Sequence, residues 1–153
     1  IKIINGGNTR KESVYKALNN TNSEIVIIND CARPFIKDEY INDLIKETEL
    51  YWGSSIGVKS KDTIKICDEE GKVVETTNRN NTWIVQTPQC FNTILIKTAH
   101  ALAIKDGFNS ATDDCSLILK YKLCPIYVVD GDINNIKITY KSDISIAEKI
   151  LNN

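Results

Sequence analysis

The feature that most constrains this chain is an alternation of short β-branched runs with longer segments of helical periodicity. The run Glu24 to Asn29 reads EIVIIN, a pattern typical of a strand buried on both faces of a parallel sheet. The segment Asp38 to Tyr51 follows with the spacing of a helix. Its predicted core-facing residues are Ile41, Leu44, Ile45 and Leu50. Strand and helix in repeated succession predict a doubly wound α/β fold, and 153 residues suffice for one core.

Capping residues and apolar periodicity predict the remaining elements. Thr9 and Glu12 have the spacing of a capping box at the start of a helix that runs to Leu18. The other predicted elements are the end of a strand at Ile1 to Ile4, a helix from an Asn92 cap to Lys105, a helix from a Thr112 cap to Tyr121, strands at Ile126 to Val129 and Asn135 to Thr139, and a closing helix capped by Ser142.

The middle of the chain departs from this alternation. Apolar and polar residues alternate from Ser54 to Ile66, Asp68 to Gly71 predicts a turn, and Lys72 to Thr77 returns, so a hairpin is expected. These residues are too polar for a core. We therefore expect residues 59–81 to project as a β-arm that embraces a second copy, while the rest of 1–153 forms part of a single domain.

Composition excludes several kinds of function. Nineteen Lys and Arg against twenty Asp and Glu give a net charge of -1, which argues against nucleic-acid and membrane-surface partners. No apolar stretch has the roughly eighteen residues of a membrane span, so a soluble chain is expected. Five cysteines without a C-x-x-C pair argue against a disulfide framework and a zinc site. Because Met is absent even at position 1, we expect an interior piece of a longer protein.

The three arginines are the clearest candidates for ligand contacts, because the chain otherwise uses sixteen lysines. Arg10, Arg33 and Arg79 all lie in turn-like contexts. A guanidinium is a planar two-pronged donor that matches phosphate, and Lys cannot replace it there. Phosphate is therefore the predicted ligand, with solvated or carboxylate-paired surface arginines as the alternative.

Two loops can bring such groups to a ligand. Gly6 and Gly7 precede a helix start, where free backbone N–H groups stabilise an anion, although such a turn is also common before any capped helix. Asp30 and Arg33 directly follow the EIVIIN strand, and open α/β sheets bind ligands at the carboxyl ends of their strands. Asp30 can hold Mg²⁺ and Arg33 a phosphate, while an internal Asp30–Arg33 pair is the alternative.

Other polar residues have ordinary structural explanations. His100 is the single histidine and is expected to be structural or solvated. Lys137 interrupts a β-branched run, as at an exposed strand edge, and Asp113 and Asp114 suit the first turn of a helix. The cysteines are expected to behave as small hydrophobic residues.

Six segments occur in fixed order from Gly6 to the C-terminus. They read G-G-N-T-R-K-E-S-V, I-N-D-C-A-R-P-F, K-D-T-I-K, N-R-N-N-T-W-x-x-Q-T-P-Q-C-F, A-T-D-D-C-S and D-I-N-N-I-K-I-T. Together they resemble the 2-C-methyl-D-erythritol 4-phosphate cytidylyltransferases of the non-mevalonate isoprenoid pathway. The resemblance implies a Rossmann-like nucleotidyltransferase three-layer sandwich, truncated here at its N-terminus, with a β-arm that interlocks in a homodimer.

The resemblance also implies an activity and its site. That activity is transfer of CMP from CTP to methylerythritol phosphate, with Mg²⁺ and release of pyrophosphate, in a bacterial cytoplasm by default and with a plastid left open. Three groups of residues are implied: Gly6, Gly7, Arg10, Ser13 and Asp30 beside the nucleotide, with Asp30 also at the metal; Arg33, Thr63, Arg79, Thr87, Thr112 and Lys137 around the polyol phosphate; and Asp30, Lys137 and Arg79 in catalysis. Because the family exchanges its arm, Thr63 and Arg79 are expected to serve the partner subunit's site.

The chain departs from the family at its start. The family opens with a Gly-rich loop that carries an Arg and then a Lys, and both precede Ile1, so we expect this chain alone to be nearly inactive. Two alternatives remain open. Ribitol-5-phosphate cytidylyltransferases share D-x-x-R-P, T-P-Q and N-I-K, although Trp83 and A-T-D-D-C-S favour methylerythritol phosphate. A fragment that only dimerises or binds nucleotide is the other, and retention of Asp30, Arg79 and Lys137 argues against it.

Overall fold

Helices and strands alternate along most of the chain in the computed structural model, which describes residues 1–152. The α-helices are α1 (Arg10–Leu18), α2 (Asp38–Tyr51), α3 (Thr93–Lys105), α4 (Asp114–Lys120) and α5 (Lys141–Leu151). The strands are β1 (Ile25–Ile28), β2 (Gly53–Lys59), β3 (Lys65–Cys67), β4 (Val73–Thr76), β5 (Trp83–Asn92) and β6 (Tyr127–Asp130). Within the described range, no helix has both the length and the apolar character needed to cross a membrane.

The central sheet contains four strands in the order β1-β5-β2-β6. Strand β5 pairs antiparallel with β1 and with β2, whereas β2 and β6 are parallel. The sheet is therefore mixed and not parallel as predicted, because the chain returns from the arm alongside β2 and runs in the opposite direction. Strand β1 lies at the sheet edge, and its Ile27 is 37% exposed, so the prediction of burial on both faces is also wrong.

Neighbouring side chains of β5 belong to two separate cores. Phe91 lies in a cluster with Leu18 of α1 and with residues of α3 and α4. The adjacent Cys90 packs with Leu44 of α2 and Ile56 of β2. Because successive side chains of a strand point to opposite faces, the sheet lies between two helical layers. The predicted α/β three-layer sandwich is confirmed.

Most helix starts agree with their predicted caps. The side chain of Thr9 accepts a hydrogen bond from the Glu12 N–H at 3.1 Å at the start of α1. Asn92 caps α3, and α2 has the predicted bounds. These starts depend on residues within four positions of one another, which is why the sequence identifies them.

Two predicted caps are wrong because a nearby carboxylate takes the role. Helix α4 is capped by Asp113 and not by Thr112, and the Asp113 carboxylate accepts from the Ser116 N–H at 2.9 Å. At α5, Asp143 replaces Ser142, and its carboxylate accepts from two backbone N–H groups before the helix, each at 2.8 Å. An ionised acceptor is favoured at a helix start, where the macrodipole is positive.

Two predicted strands do not form, and one predicted core residue is exposed. Residues 1–4 pair with no strand of the described range, and Ile3 is 92% exposed. Residues 135–139 are not a strand either; the Ile138 N–H donates to the Ala32 carbonyl at 2.8 Å, but no ladder develops. Leu50, near the end of α2, is 69% exposed and not core-facing.

The predicted hairpin is present as a separate two-stranded sheet of β3 and β4, both of which are exposed. The preceding strand is different. The first five residues of β2 are buried in the central sheet, so the prediction that residues from Ser54 onward are too polar for a core is wrong there. The Ser54 hydroxyl donates to the Leu44 carbonyl at 2.9 Å, which allows its burial. Interlocking of the arm with a second copy stays a prediction.

Candidate functional site

Six of the predicted site residues meet in one cleft of about 290 Å³ beyond the end of β1. They are Arg10 from α1, Asp30 and Arg33 from the loop after β1, Thr87 from β5, Thr112 from the turn before α4, and Lys137 from the segment after β6. Three of the six are cationic. The cleft therefore has the charge and the hydrogen-bond donors that a phosphate-bearing ligand needs.

Asp30 lies between two of these cations. Its Oδ2 is 3.0 Å from the Lys137 Nζ, and its Oδ1 is 3.4 Å from the Arg10 Nε. Burial would raise the pKa of this carboxyl, but the hydrogen bond and charge of Lys137, followed by those of Arg10, outweigh burial and hold the pKa of Asp30 below its ordinary value. The carboxylate thus stays ionised and fixes the position of two phosphate-binding side chains.

This lowered pKa leads to a prediction for Asp30→Asn. A depressed folded-state pKa contributes stability above the unfolded-state pKa, and that contribution is lost as the pH falls through the folded-state pKa. The variant is expected to be less stable than the parent at neutral pH by on the order of 1 kcal/mol, since Lys137 and Arg10 are partly exposed. The difference should vanish in acid. Urea unfolding between about pH 6 and about pH 2.5 measures it.

The matched control for that experiment is Asp43→Asn. Asp43 forms an exposed pair with Lys46 on α2 at 3.7 Å, away from the cleft. Exposed pairs contribute little, so this variant should have nearly the stability of the parent. Equal pH dependence of the Asp30→Asn variant and the parent would contradict the ion-pair assignment.

Arg33 is held without a carboxylate partner. Its Nη1 donates to the Asn135 carbonyl at 2.6 Å, its buried Nε has no hydrogen-bond partner, and none of the ion pairs found in residues 1–152 involves it. Burial lowers the pKa of Arg33, and the charge of Asp30 offsets only part of that effect. The alternative of an internal Asp30–Arg33 ion pair is therefore wrong. A bound anion would supply the missing counter-charge.

Thr87 and Asn135 fix the loop that carries Asp30. The Thr87 hydroxyl donates to the Asn29 Oδ1 at 2.9 Å and accepts from the Asp30 N–H at 3.0 Å. Asn135 is fully buried and donates to the Thr87 carbonyl at 3.0 Å, while its own carbonyl holds Arg33. Sequence reasoning missed Asn135, which stands in the D-I-N-N-I-K-I-T segment two residues before Lys137.

Further polar residues of the cleft were also missed. Gln86 and Gln89 of β5 line it, and the Gln89 Nε2 donates to the Asp113 carboxylate at 2.7 Å. Both glutamines belong to the Q-T-P-Q run, which was the only available signal. Asp114, expected to do no more than begin a helix, is 2.8 Å from the Arg10 Nη1 and 3.0 Å from the Nε2 of His100.

The glycine turn lies outside the cleft. The Gly7 N–H donates to the Ser13 Oγ at 3.0 Å, which closes the turn onto the first turns of α1. A Cβ atom on Gly7 would lie 2.3 Å from the Glu12 Cβ, so only glycine fits there. Gly6, Gly7 and Ser13 are thus predicted nucleotide contacts that the structure does not bring into the cleft; Ser13 lines a different groove beside β1.

The two predicted site residues of the arm also lie apart from the cleft. The Arg79 Nη2 donates to the Thr63 Oγ1 at 2.8 Å, and neither residue lines the cleft of its own chain. Both side chains are on the exposed hairpin region. The structure therefore brings them to each other but not to Asp30 and Lys137.

A mixed sheet between helical layers, with a cationic cleft at the end of its edge strand, defines a Rossmann-like α/β domain of the nucleotidyltransferase class. The model of the IspD family, 2-C-methyl-D-erythritol 4-phosphate cytidylyltransferase, matches residues 1–153. The chain belongs to this family.

Individual relatives agree with that assignment. The 2-C-methyl-D-erythritol 4-phosphate cytidylyltransferase of Clostridium novyi (strain NT) is 47% identical over 152 residues, which cover 99% of this chain and 65% of that protein. The crystal structure of the 4-diphosphocytidyl-2C-methyl-D-erythritol synthase of Anaerococcus prevotii DSM 20548 matches with a TM-score of 0.94 and 33% identity, over 100% of this chain and 71% of that one. The crystal structure of the Thermus thermophilus cytidylyltransferase matches with a TM-score of 0.86 and 29% identity, over 98% and 73%. The chain thus spans about 65% of the length of the Clostridium novyi relative.

Proposed function

We propose that the full-length protein transfers CMP from CTP to 2-C-methyl-D-erythritol 4-phosphate, giving 4-diphosphocytidyl-2-C-methyl-D-erythritol and pyrophosphate. The observation that carries the proposal is the gathering of Arg10, Arg33 and Lys137 around Asp30 in one cleft. Membership of the IspD family supplies the identity of the two substrates.

The reaction needs charge neutralisation and alignment more than proton transfer. A phosphate oxygen of the polyol phosphate attacks the α-phosphorus of CTP in line, the new P–O bond forms, and the bond to pyrophosphate breaks. The attacking phosphate is already an anion, so no general base is required. Lys137 and Arg10, both fixed by Asp30, lie where they can stabilise the charge that develops on the phosphoryl oxygens.

Mg²⁺ is part of this proposal, with Asp30 as the residue that would hold it. Mg²⁺ in nucleotide sites is bound by one or two carboxylates together with substrate phosphates and water, and an ionised Asp30 fits that donor set. In the described residues, no group of three or more His, Cys, Asp or Glu is arranged to hold a metal, so the nucleotide would supply further ligands. The bound ion would neutralise charge on the triphosphate.

We also propose that the arm joins two copies into a homodimer. The exposed hairpin carries apolar side chains that a partner can cover, among them Ile66, Val73 and Val74, which are 45%, 52% and 59% exposed. Thr63 and Arg79 hydrogen-bond to each other outside their own cleft, which supports a role in the partner subunit's polyol-phosphate site.

Arg79→Lys tests that role. In the full-length protein we expect kcat/KM for the polyol phosphate to fall about 100-fold, because an ammonium cannot make the planar two-pronged contact of a guanidinium. Steady-state kinetics measure the loss, and light scattering should find the dimer unchanged. Lys72→Arg makes the reverse exchange on the same arm and should leave the kinetics unaltered. Unchanged kinetics for Arg79→Lys would mean that the arm serves dimerisation alone.

Pyrophosphate release by the full-length protein tests the proposed function. CTP and Mg²⁺ are supplied with methylerythritol phosphate or with ribitol 5-phosphate in separate reactions. Release with methylerythritol phosphate alone supports the proposal. Release with ribitol 5-phosphate alone would assign the sibling activity, and no release from a folded protein would leave a dimerising or nucleotide-binding module.

A further inference from the structure

We propose that His100 and Asp114 form a buried support that fixes the Arg10 guanidinium in the cleft, which makes His100 a positioning residue for CTP binding. His100 lies on α3, outside the cleft, and touches Arg10 only through Asp114. The inference rests on the proposed function, since it assigns Arg10 to the nucleotide.

Asp114 uses both carboxylate oxygens in this support. Its Oδ2 is 2.8 Å from the Arg10 Nη1, and its Oδ1 is 3.0 Å from the His100 Nε2. A carboxylate accepts only, so the imidazole donates its Nε2–H. Asp114 is 1% exposed, and its charge is therefore tolerated only because both cationic and neutral donors surround it.

His100 is rigidly held and has no other polar contact in residues 1–152. It is fully buried, its Nδ1 has no hydrogen-bond partner, and its ring stacks on that of Tyr15 with centroids 5.9 Å apart. Burial of an imidazole with one polar partner is costly compared with burial of a hydrocarbon ring. The one interaction that distinguishes it from such a ring is the hydrogen bond to Asp114, and that bond leads directly to Arg10.

The support explains how an exposed guanidinium keeps one orientation. The Arg10 side chain is 38% exposed, and without partners its rotatable bonds would let it sample many positions. Asp30 contacts Nε and Asp114 contacts Nη1. The Arg10 Nη2 has no partner among the hydrogen bonds and ion pairs of residues 1–152, so it is the donor left for a phosphate.

Calorimetric titration of the full-length protein with CTP and Mg²⁺, without polyol phosphate, measures the effect directly. His100→Phe keeps a ring against Tyr15 but removes the N–H, and we expect the Kd for CTP to rise about tenfold. His100→Gln retains a donor that can reach Asp114, and should keep the Kd within about threefold of the parent. Ile96→Val alters another buried residue of α3 without touching Asp114, and should leave the Kd unchanged.

A double-mutant cycle separates positioning from a general structural effect. In an Arg10→Ala background, His100→Phe should have no further effect on the Kd, because the group that it positions is gone. An equal tenfold loss in both backgrounds would overturn the inference. If His100→Phe does not fold, Asp114→Asn replaces it in the same cycle, with the same expected result.

The remaining outcomes distinguish the inference from the proposed function. A parent protein that binds CTP and releases pyrophosphate, with a His100→Phe variant of equal affinity, would overturn the inference alone. A folded parent that binds no CTP would overturn both.

Discussion

Replacing Lys137 with Met in the full-length protein is expected to lower kcat by about 100- to 1000-fold. Lys137 is the only lysine that lines the described cleft, and its Nζ is held 3.0 Å from the Asp30 carboxylate. Its ammonium is 48% exposed, so a substrate phosphate can reach it. Met keeps the length of the side chain and removes the charge, so the change acts on phosphoryl charge and not on packing.

Lys46→Met is the matched control. Lys46 lies on α2, is 73% exposed and pairs with Asp43, so its loss should leave kcat within about twofold of the parent. Pyrophosphate release under saturating CTP and polyol phosphate measures both variants. A Lys137→Met protein with a raised KM and an unchanged kcat would show that Lys137 only binds substrate and does not stabilise the transition state.

Replacing Phe91 with Ala is expected to lower the free energy of unfolding by about 3–5 kcal/mol. Phe91 is fully buried in β5, where it packs against helices α1, α3 and α4. Truncation leaves a cavity between the sheet and a helical layer that rigid neighbours cannot fill. Because β5 also carries Thr87 and Gln89, the variant should bind CTP less tightly even where it remains folded.

Ile84→Ala provides the comparison on the same strand. Ile84 is 50% exposed, so its truncation should cost less than about 1 kcal/mol. Urea unfolding followed by circular dichroism measures both variants. Similar losses for the two would contradict the assignment of Phe91 to the core.

The candidate site is divided between a rigid part and a projecting part. Asp30, Arg33 and Lys137 meet on the body of the domain, whereas Arg79 lies on the arm. This division explains why the Lys137 and Arg79 variants need different controls. The first is tested against a lysine of the body, and the second against a lysine of the arm.

The amino-acid sequence by itself determined the features that depend on near neighbours. The bounds of α2 and the Thr9 and Asn92 caps follow from residues a few positions apart. The hairpin of β3 and β4 follows from its turn residues. Asp30, Arg33 and Lys137 were identified as site residues because motifs in the sequence carry them, although the function of each remains a prediction.

Tertiary structure alone decided the features that depend on distant residues. The direction of β5, the failure of residues 135–139 to join the sheet, and the exposure of β1 at its edge are set by which strands become neighbours. The contact of Arg33 with Asn135 joins positions 102 residues apart, and the Arg10–Asp114–His100 contacts join three helices. Local periodicity and capping contain no information on such pairs, because burial and ion pairing are fixed only when the layers pack together.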